Sequence, residues 1–289
     1  AVHFAAMAIM SGTQDVVIAG GVQTMSKIPI GASMIAGREL GFDHPFHTSP
    51  GWLKRFGDAP VDQFYGASEI AKRWGFSRKD LEEFSLNSHR RADKARDSGW
   101  FNKEISSING LEQDETIRAN TSMERMAELE AFDAHGLITA GVASQTCDGS
   151  SAILLASADA VKRYNLKPRA RIHHLEVMGD DPILMLTGPI AATKRALFRA
   201  GMNSSEIDLA ECNEAFASVP MAWMQETNIP HEKTNVNGGA ISLGHPLGST
   251  GTKLMTTLLH EMERRGVRYG LQTMCEGGGV ANVTIIERL

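Results

Sequence analysis

The sequence predicts an α/β protein, and three observations carry that prediction. Helix-like apolar stretches alternate with short apolar strands that end in glycine. Residues 1–12, with Phe4, Ala5, Ala8 and Ile9 spaced for a buried helix, precede a strand at 15–19 and the pair Gly20-Gly21. The alternation breaks off between Lys27 and about Leu137, where helical signals outnumber strands, and resumes at Ile138. Finally, Cys147-Asp148-Gly149-Ser150-Ser151 and the apolar residues after it are echoed by Cys275-Glu276-Gly277-Gly278-Gly279 and its apolar successors. That faint internal repeat points to a duplicated fold.

The elements follow in order. Gly20-Gly21 is expected to end the first strand. Residues 41–62 are rich in Gly, Pro, His and aromatic side chains and show little periodicity. Helices are predicted over 68–74 and 78–98. Ser77 is placed to cap the second, with Asp80, Glu82 and Glu83 in its first turn, where carboxylates favour the positive end of the helix dipole. A shorter helix is predicted over 124–132. Beyond Ile138 come a strand at 153–155, a helix over 157–164, a boundary at Pro168 and a strand over 171–177. Gly188-Pro189 opens a helix that Gly201 closes. A strand over 207–212, a helix over 214–225 and strands over 269–274 and 280–286 complete the chain.

Bulk properties exclude several classes. The 289 residues suffice for two domains, and 42% hydrophobic with 22% charged residues is ordinary for a soluble globular chain. A net charge of −5 gives no reason to expect nucleic acid as a partner. No apolar run is long enough for a membrane span. Cys147, Cys212 and Cys275 lack paired or metal-type spacing, which implies a reducing, cytoplasmic setting and no metal site. The chain begins at Ala1, inside a helical pattern and without a basic leader, and reads as cut into partway along an element.

The chemistry centres on Asn235-Val-Asn-Gly-Gly-Ala-Ile-Ser-Leu-Gly-His245-Pro-Leu-Gly-Ser-Thr-Gly251. Pro246 biases His245 away from helical geometry, so its ring projects from a fixed loop that leads into a helix bearing Leu254, Leu258, Leu259 and Met262. Asn213-Glu214-Ala215-Phe216-Ala217 ends one predicted strand, and Cys275-Glu276-Gly277-Gly278-Gly279 ends another. A thiol titrates near 8.5 and shifts readily with its surroundings. His44 and His47 beside Asp43 read as a solvated loop, His173-His174 as opposite faces of a strand, and Cys147 and Cys212 as core thiols.

These three blocks, in this order, resemble the thiolase family, and the similarity runs from the first residue to the last. The resemblance implies two similar α/β halves in α-β-α-β-α layers, with an inserted loop domain that lies over the active site and holds coenzyme A. The N-terminal half would comprise residues 1–26 and 138–166, the loop domain 27–137 and the C-terminal half 167–289. It implies acyl transfer between a 3-ketoacyl-CoA and CoA, either thiolytic cleavage releasing acetyl-CoA or the reverse condensation. Cys275 would be the acid/base and the Gly277 amide an oxyanion donor. His245 would activate the nucleophile and donate to the thioester oxygen, and Asn213 would orient a water in the same oxyanion hole. Ala140, Ser144, Arg118 and Phe216 would contact CoA or its pantetheine.

CoA and acyl-CoA are then substrates, with no permanently bound cofactor, and a homodimer or homotetramer is expected. The match begins a few residues past the family's nucleophilic cysteine, so the 289 residues alone are expected to be inactive. The other reading is a non-catalytic acyl-CoA or lipid binder, or a partner subunit. A decarboxylating ketoacyl-synthase relative would carry a second histidine where Asn213 stands. Val142 departs from the family's usual Asn, and Phe64-Tyr65-Gly66 replaces a His-Met-Gly-like group. Trp52, Phe56, Phe64 and Tyr65 are expected to line a pocket larger than acetoacetyl needs, which favours the degradative direction.

Overall fold

The computed structural model describes residues 1–42, 46 and 49–289. The Asp43, His44 and His47 group lies outside the described residues. The elements in chain order are α1 (Val2–Met10), β1 (Val16–Thr24), α2 (Ala32–Ile35), α3 (Pro50–Phe56), α4 (Gln63–Trp74), α5 (Arg78–Asp97), α6 (Met123–Ala127), β2 (Asp148–Ala156), α7 (Ala158–Arg163) and β3 (Ala170–Gly179). There follow α8 (Gly188–Ala200), β4 (Leu209–Cys212), α9 (Ser218–Thr227), α10 (Ala240–Leu243), α11 (Thr250–Arg265), β5 (Tyr269–Glu276) and β6 (Val280–Arg288). None of the described helices is long and apolar enough to cross a membrane.

Two sheets organise the chain. β1 pairs antiparallel with β2, and the larger sheet has the order β3-β6-β5-β4, antiparallel except for β4 with β5. Ala281, Val283 and Ile285, alternating on β6, pack against Ala192, Ala196 and Leu197 of α8 and Trp223 of α9. Trp223 is fully buried, and its Nε1 donates to Thr193 Oγ1 at 2.8 Å. Ile286 packs instead with Leu258 and Met262 of α11. Helix α1 lies on β1 and β2 through Val2, Ala5 and Ala6, and its His3 Nε2 lies 2.9 Å from Thr284 Oγ1 of β6. In section the layers run α8 and α9, the larger sheet, α1 and α11, then the smaller sheet.

The internal echo has a structural counterpart. Thr24 pairs with Asp148 at one end of the β1–β2 ladder, as Glu276 pairs with Val280 in β5–β6. A glycine turn joins the second pair, and residues 25–147 join the first. The Ser77 cap forms as a reciprocal box: Asp80 N–H donates to Ser77 Oγ at 3.2 Å and Ser77 N–H to Asp80 Oδ2 at 2.8 Å. Gly201, in the left-handed region, ends α8.

Three expectations fail. Pro50–Phe56 is a helix capped by Ser49, inside the stretch read as aperiodic. The segment after β4 stays irregular until Ser218, although a helix was expected from Glu214. Gly20-Gly21 does not end β1, which continues to Thr24. A Cβ on Gly21 would overlap the Gly248 carbonyl oxygen, so the bare backbone lets β1 pass the turn after His245. Gly21→Ala is therefore expected to destabilise the protein by about 1–3 kcal/mol in urea unfolding, although alanine loses less backbone entropy on folding. An unchanged midpoint would mean that the 246–249 turn yields freely.

Candidate active site

Parallel pairing of β4 with β5 brings two of the sequence blocks to one edge. Cys212 is in register with Thr273, and the Asn213 N–H continues the ladder by donating to Thr273 O at 3.1 Å. Asn213 leaves the sheet one residue beyond β4, and Cys275 lies two residues beyond Thr273 on β5. The third block arrives alongside β4. Ala210 N–H donates to Lys233 O at 2.8 Å and Asn235 N–H to Ala210 O at 2.9 Å, which launches the loop toward His245. The Asn213 Nδ2 atom then lies 3.3 Å from His245 Nε2.

Asn213 does not cap a helix. The Ser144 N–H donates to Ala215 O at 3.0 Å and the Ala217 N–H to Val142 O at 2.9 Å, so residues 215–217 are drawn out against 142–144. This places Ser144 and the neighbouring Ala140 turn beside Phe216, which is buried with Cys275, Val142 and Ile241. Arg118 joins the same chain of contacts. Its Nε donates to Gln145 Oε1 at 3.1 Å, and its N–H donates to His89 Nδ1 at 3.1 Å. Phe64 meets Phe216 edge-on at 5.3 Å between ring centroids. Trp52 packs instead with Phe46 and Phe56, so of the four aromatic residues expected to share a pocket, Phe64 is the one whose ring meets Phe216 among the described ring contacts.

Burial sets the protonation of the reactive groups. It pushes the His245 pKa down to about 4, with the Lys253 charge acting in the same direction. It pushes the Cys275 thiol up to about 12, with Glu276 adding to the rise. At neutral pH the imidazole is therefore uncharged and the thiol keeps its proton. Asn213 Oδ1 is buried without a hydrogen-bond partner, an acceptor that a water could satisfy. Gly277 is exposed at the β5–β6 turn. Gly244, at φ +76, lies so close to Cys147 Sγ that a Cβ there would overlap it.

Sequence reading missed Gln145 and Thr250. The Gln145 side-chain amide nitrogen donates to Thr116 O at 2.8 Å and Ile241 O at 2.7 Å, and the Gln145 backbone carbonyl accepts from His245 N–H at 2.9 Å. Thr250 Oγ1 lies 2.7 Å from His245 Nδ1. Thr250 was visible as the hydroxyl residue closing the glycine loop, whereas nothing local marks Gln145.

Such an edge can hold a carbonyl oxygen and exchange a proton beside it, which is the work of an acyl-transfer enzyme. Comparison with known proteins narrows the class. Residues 1–159 match the family model for the thiolase N-terminal domain and residues 166–288 that for the thiolase C-terminal domain. The chain is 53% identical over 293 residues to the steroid 3-ketoacyl-CoA thiolase FadA6 of Mycobacterium tuberculosis, covering 100% of this chain and 72% of that protein. It is 41% identical over 303 residues to a 3-ketoacyl-CoA thiolase of Hahella chejuensis, with 100% and 74% covered. The crystal structure of human mitochondrial 3-ketoacyl-CoA thiolase in complex with CoA superposes with a TM-score of 0.86 at 35% identity, covering 100% of this chain and 74% of that one. The chain belongs to the thiolase family of acyltransferases.

A cavity of about 990 Å³ borders the His245 loop through Leu243, Pro246 and Ser249 and is lined also by Glu104, Asp114, Cys147, Asp148, Lys253 and Thr257, with none of Asn213, His245 and Cys275 in its lining. Glu104 Oε2 is buried there without a hydrogen-bond partner, and burial raises the carboxyl pKa from 4.5 to about 7 despite a Thr257 hydrogen bond. Native Glu104 thus holds its proton where the unfolded chain has released it. Its contribution to stability is complete below about pH 4.5 and is lost as pH rises through about 7. Relative to Glu104→Gln, the wild type is expected to lose ~3 kcal/mol of unfolding free energy between about pH 4 and about pH 8. A pH-independent difference between the two would show that Glu104 is ionised in the native protein.

Proposed function

We propose that the edge formed by Asn213, His245, Cys275 and Gly277 carries out thiolase acyl transfer between a 3-ketoacyl-CoA and CoA, in the degradative direction. The observation that carries this reading is the contact of Asn213 with His245 at the sheet edge where β5 delivers Cys275. A neutral His245 can take the proton of an attacking thiol at Nε2 and then present that N–H to the thioester oxygen. Cys275 keeps its proton at neutral pH and can give it to the acetyl carbon as the carbon–carbon bond breaks. The Gly277 amide supplies an oxyanion donor, and the unpartnered Asn213 Oδ1 holds a water for the same purpose. Arg118, Ala140, Ser144 and Phe216 form the CoA-contacting surface, with CoA as substrate and no resident cofactor.

The domain reading is 27–137 as the loop domain between the two parts of the first half, 1–26 and 138–166, with 167–289 as the second half. Pairing of β1 with β2 across that insertion supports it. A homodimer or homotetramer is favoured by Ile18, Val22 and Leu154, which are exposed on the β1–β2 sheet. Three free cysteines favour a cytoplasmic setting. The relative named for steroid 3-ketoacyl-CoA favours a bulky ketoacyl substrate.

Thiolysis by this route needs two thiols. Cys212, on β4, is packed in the core with Trp223, and Cys147 lines the cavity that borders the His245 loop. The 289-residue polypeptide by itself is therefore expected to bind CoA in calorimetry without cleaving acetoacetyl-CoA, and Arg118→Ala to weaken that binding about tenfold. Turnover by this polypeptide would overturn the two-thiol assignment, and absence of CoA binding would overturn the site. In any form of the protein that does turn over ketoacyl-CoA, Cys275→Ala should lower kcat by about 10²–10⁴-fold. Undiminished rates in that variant would remove Cys275 from the proton transfer.

A further inference from the structure

We propose that Thr250 is the positioning residue that holds His245 with its proton on Nδ1, leaving the Nε2 lone pair turned toward Asn213 and the acyl site. The inference rests on the acid/base reading of His245 given above.

The Thr250 hydroxyl is 1% exposed as part of its residue and sits between two neighbours. Pro246 O lies 2.9 Å away and His245 Nδ1 2.7 Å away. A carbonyl can only accept, so a hydroxyl proton given to Pro246 leaves Thr250 Oγ1 with a lone pair for Nδ1–H. The far side of the ring agrees. Nε2 faces the Asn213 amide nitrogen at 3.3 Å, and an amide NH₂ can only donate, so Nε2 must accept. Both ends of the ring thus specify one tautomer, and the contacts come from different elements, α11 and the β4 exit.

The local fold makes this arrangement robust. Ser249 N–H and Thr250 N–H both donate to Pro246 O, at 2.8 and 3.0 Å, and wind the chain from His245 directly into the first turn of α11. That turn puts residue 250 over the ring five positions back. The partner of Nδ1 is a neutral hydroxyl, so it orients the ring without adding negative charge that would hold a proton on it. Lys253 and the positive end of α11 lie on the same side and disfavour an imidazolium. A ring held this way can gain a proton at Nε2 during turnover and keep its Nδ1–H bond to Thr250 throughout.

The test is a long-range ¹H–¹⁵N correlation spectrum of the ¹⁵N-histidine-labelled protein at neutral pH, with His245 assigned through His245→Gln. The expected result is a protonated-type Nδ1 and an unprotonated-type Nε2 for His245. Thr250→Val should shift His245 toward the other tautomer or a mixture, and Thr250→Ser should restore the wild-type pattern. A wild-type ring protonated on Nε2 overturns the proposal outright, even if Thr250→Val fails to fold. So does a Thr250→Val spectrum indistinguishable from wild type. Because the tautomer is read without turnover, either failure is separate from failure of the catalytic reading. Where turnover is measurable, Thr250→Val should lower kcat about 10²-fold with little change in KM, and Thr250→Ser should recover most of it. Equal loss in both variants would point to packing alone and overturn the assignment.

Discussion

A single buried carboxylate, that of Glu214, ties the site to the rest of the molecule. It accepts from Ser88 Oγ of α5 at 2.7 Å, from Asn235 Nδ2 at 3.0 Å and from the Ile241 N–H at 3.2 Å. Those donors come from the insertion, from the start of the His245 loop and from α10. Burial raises the Glu214 pKa, and the three hydrogen bonds, with Arg91 nearby, oppose that rise. An acceptor this deep is costly unless every lone pair is used, so the three segments can meet in few other ways. Asn235 extends the constraint. Its side chain exchanges hydrogen bonds with the Cys212 backbone, accepting at 2.9 Å and donating at 2.8 Å, and so acts as a further strand partner beside β4. Glu214 and Asn235 thus hold the residues on both sides of Asn213.

The segment between β1 and β2 is therefore part of the site's framework. In the second half, a tight glycine turn joins β5 to β6. In the first, 123 residues join β1 to β2 at the equivalent end, and they return with Ser88 on Glu214 and Arg118 on Gln145. Gln145 reaches the backbone of both Thr116 and Ile241 and also receives the His245 N–H. The surface read as contacting CoA and the histidine proposed as the base are thus one hydrogen-bonded unit. Displacing the Arg118 arm would strain the His245 backbone through a single residue, Gln145, whose side chain meets Arg118 and whose backbone carbonyl meets His245.

Much of this was legible in the sequence because it is written locally. The Ser77 cap, the Gly201 stop, the glycine loop around His245 and the Cys275 block each declare themselves within a few residues, and the Asn213 and Cys275 blocks converge because β4 and β5 happen to be neighbours. Apart from the locally capped helix over Pro50–Phe56, the misreadings share one cause. Gly20-Gly21 looked like a turn, but its lack of side chains serves Gly248, 227 residues further on. Residues 214–217 carry helix formers, yet backbone bonds to Val142 and Ser144 outbid the helix. Gln145 has no local signature because its partners sit at 116, 118, 241 and 245. Wherever a residue's conformation is decided by a partner far along the chain, pattern and propensity speak for the wrong competitor.

The electrostatics of the edge follow from the same burial. A thiol held near 12 and an imidazole near 4 are pushed apart in the direction that leaves both uncharged at neutral pH. An ion pair stored between them would require a thiolate and an imidazolium in a site that solvates neither. In the proposed reaction charge arises only when a substrate carbonyl is present to receive it, and the groups proposed to meet it there are dipoles, the Gly277 amide and Asn213. The imidazole is oriented by a hydroxyl, which adds no charge, and the Lys253 charge opposes protonation of the ring. A carboxylate in place of Thr250 would favour the imidazolium before substrate arrived and so weaken the ring as a base toward an incoming thiol. The neutral partner is the one consistent with a histidine that must accept a proton first and donate it afterwards.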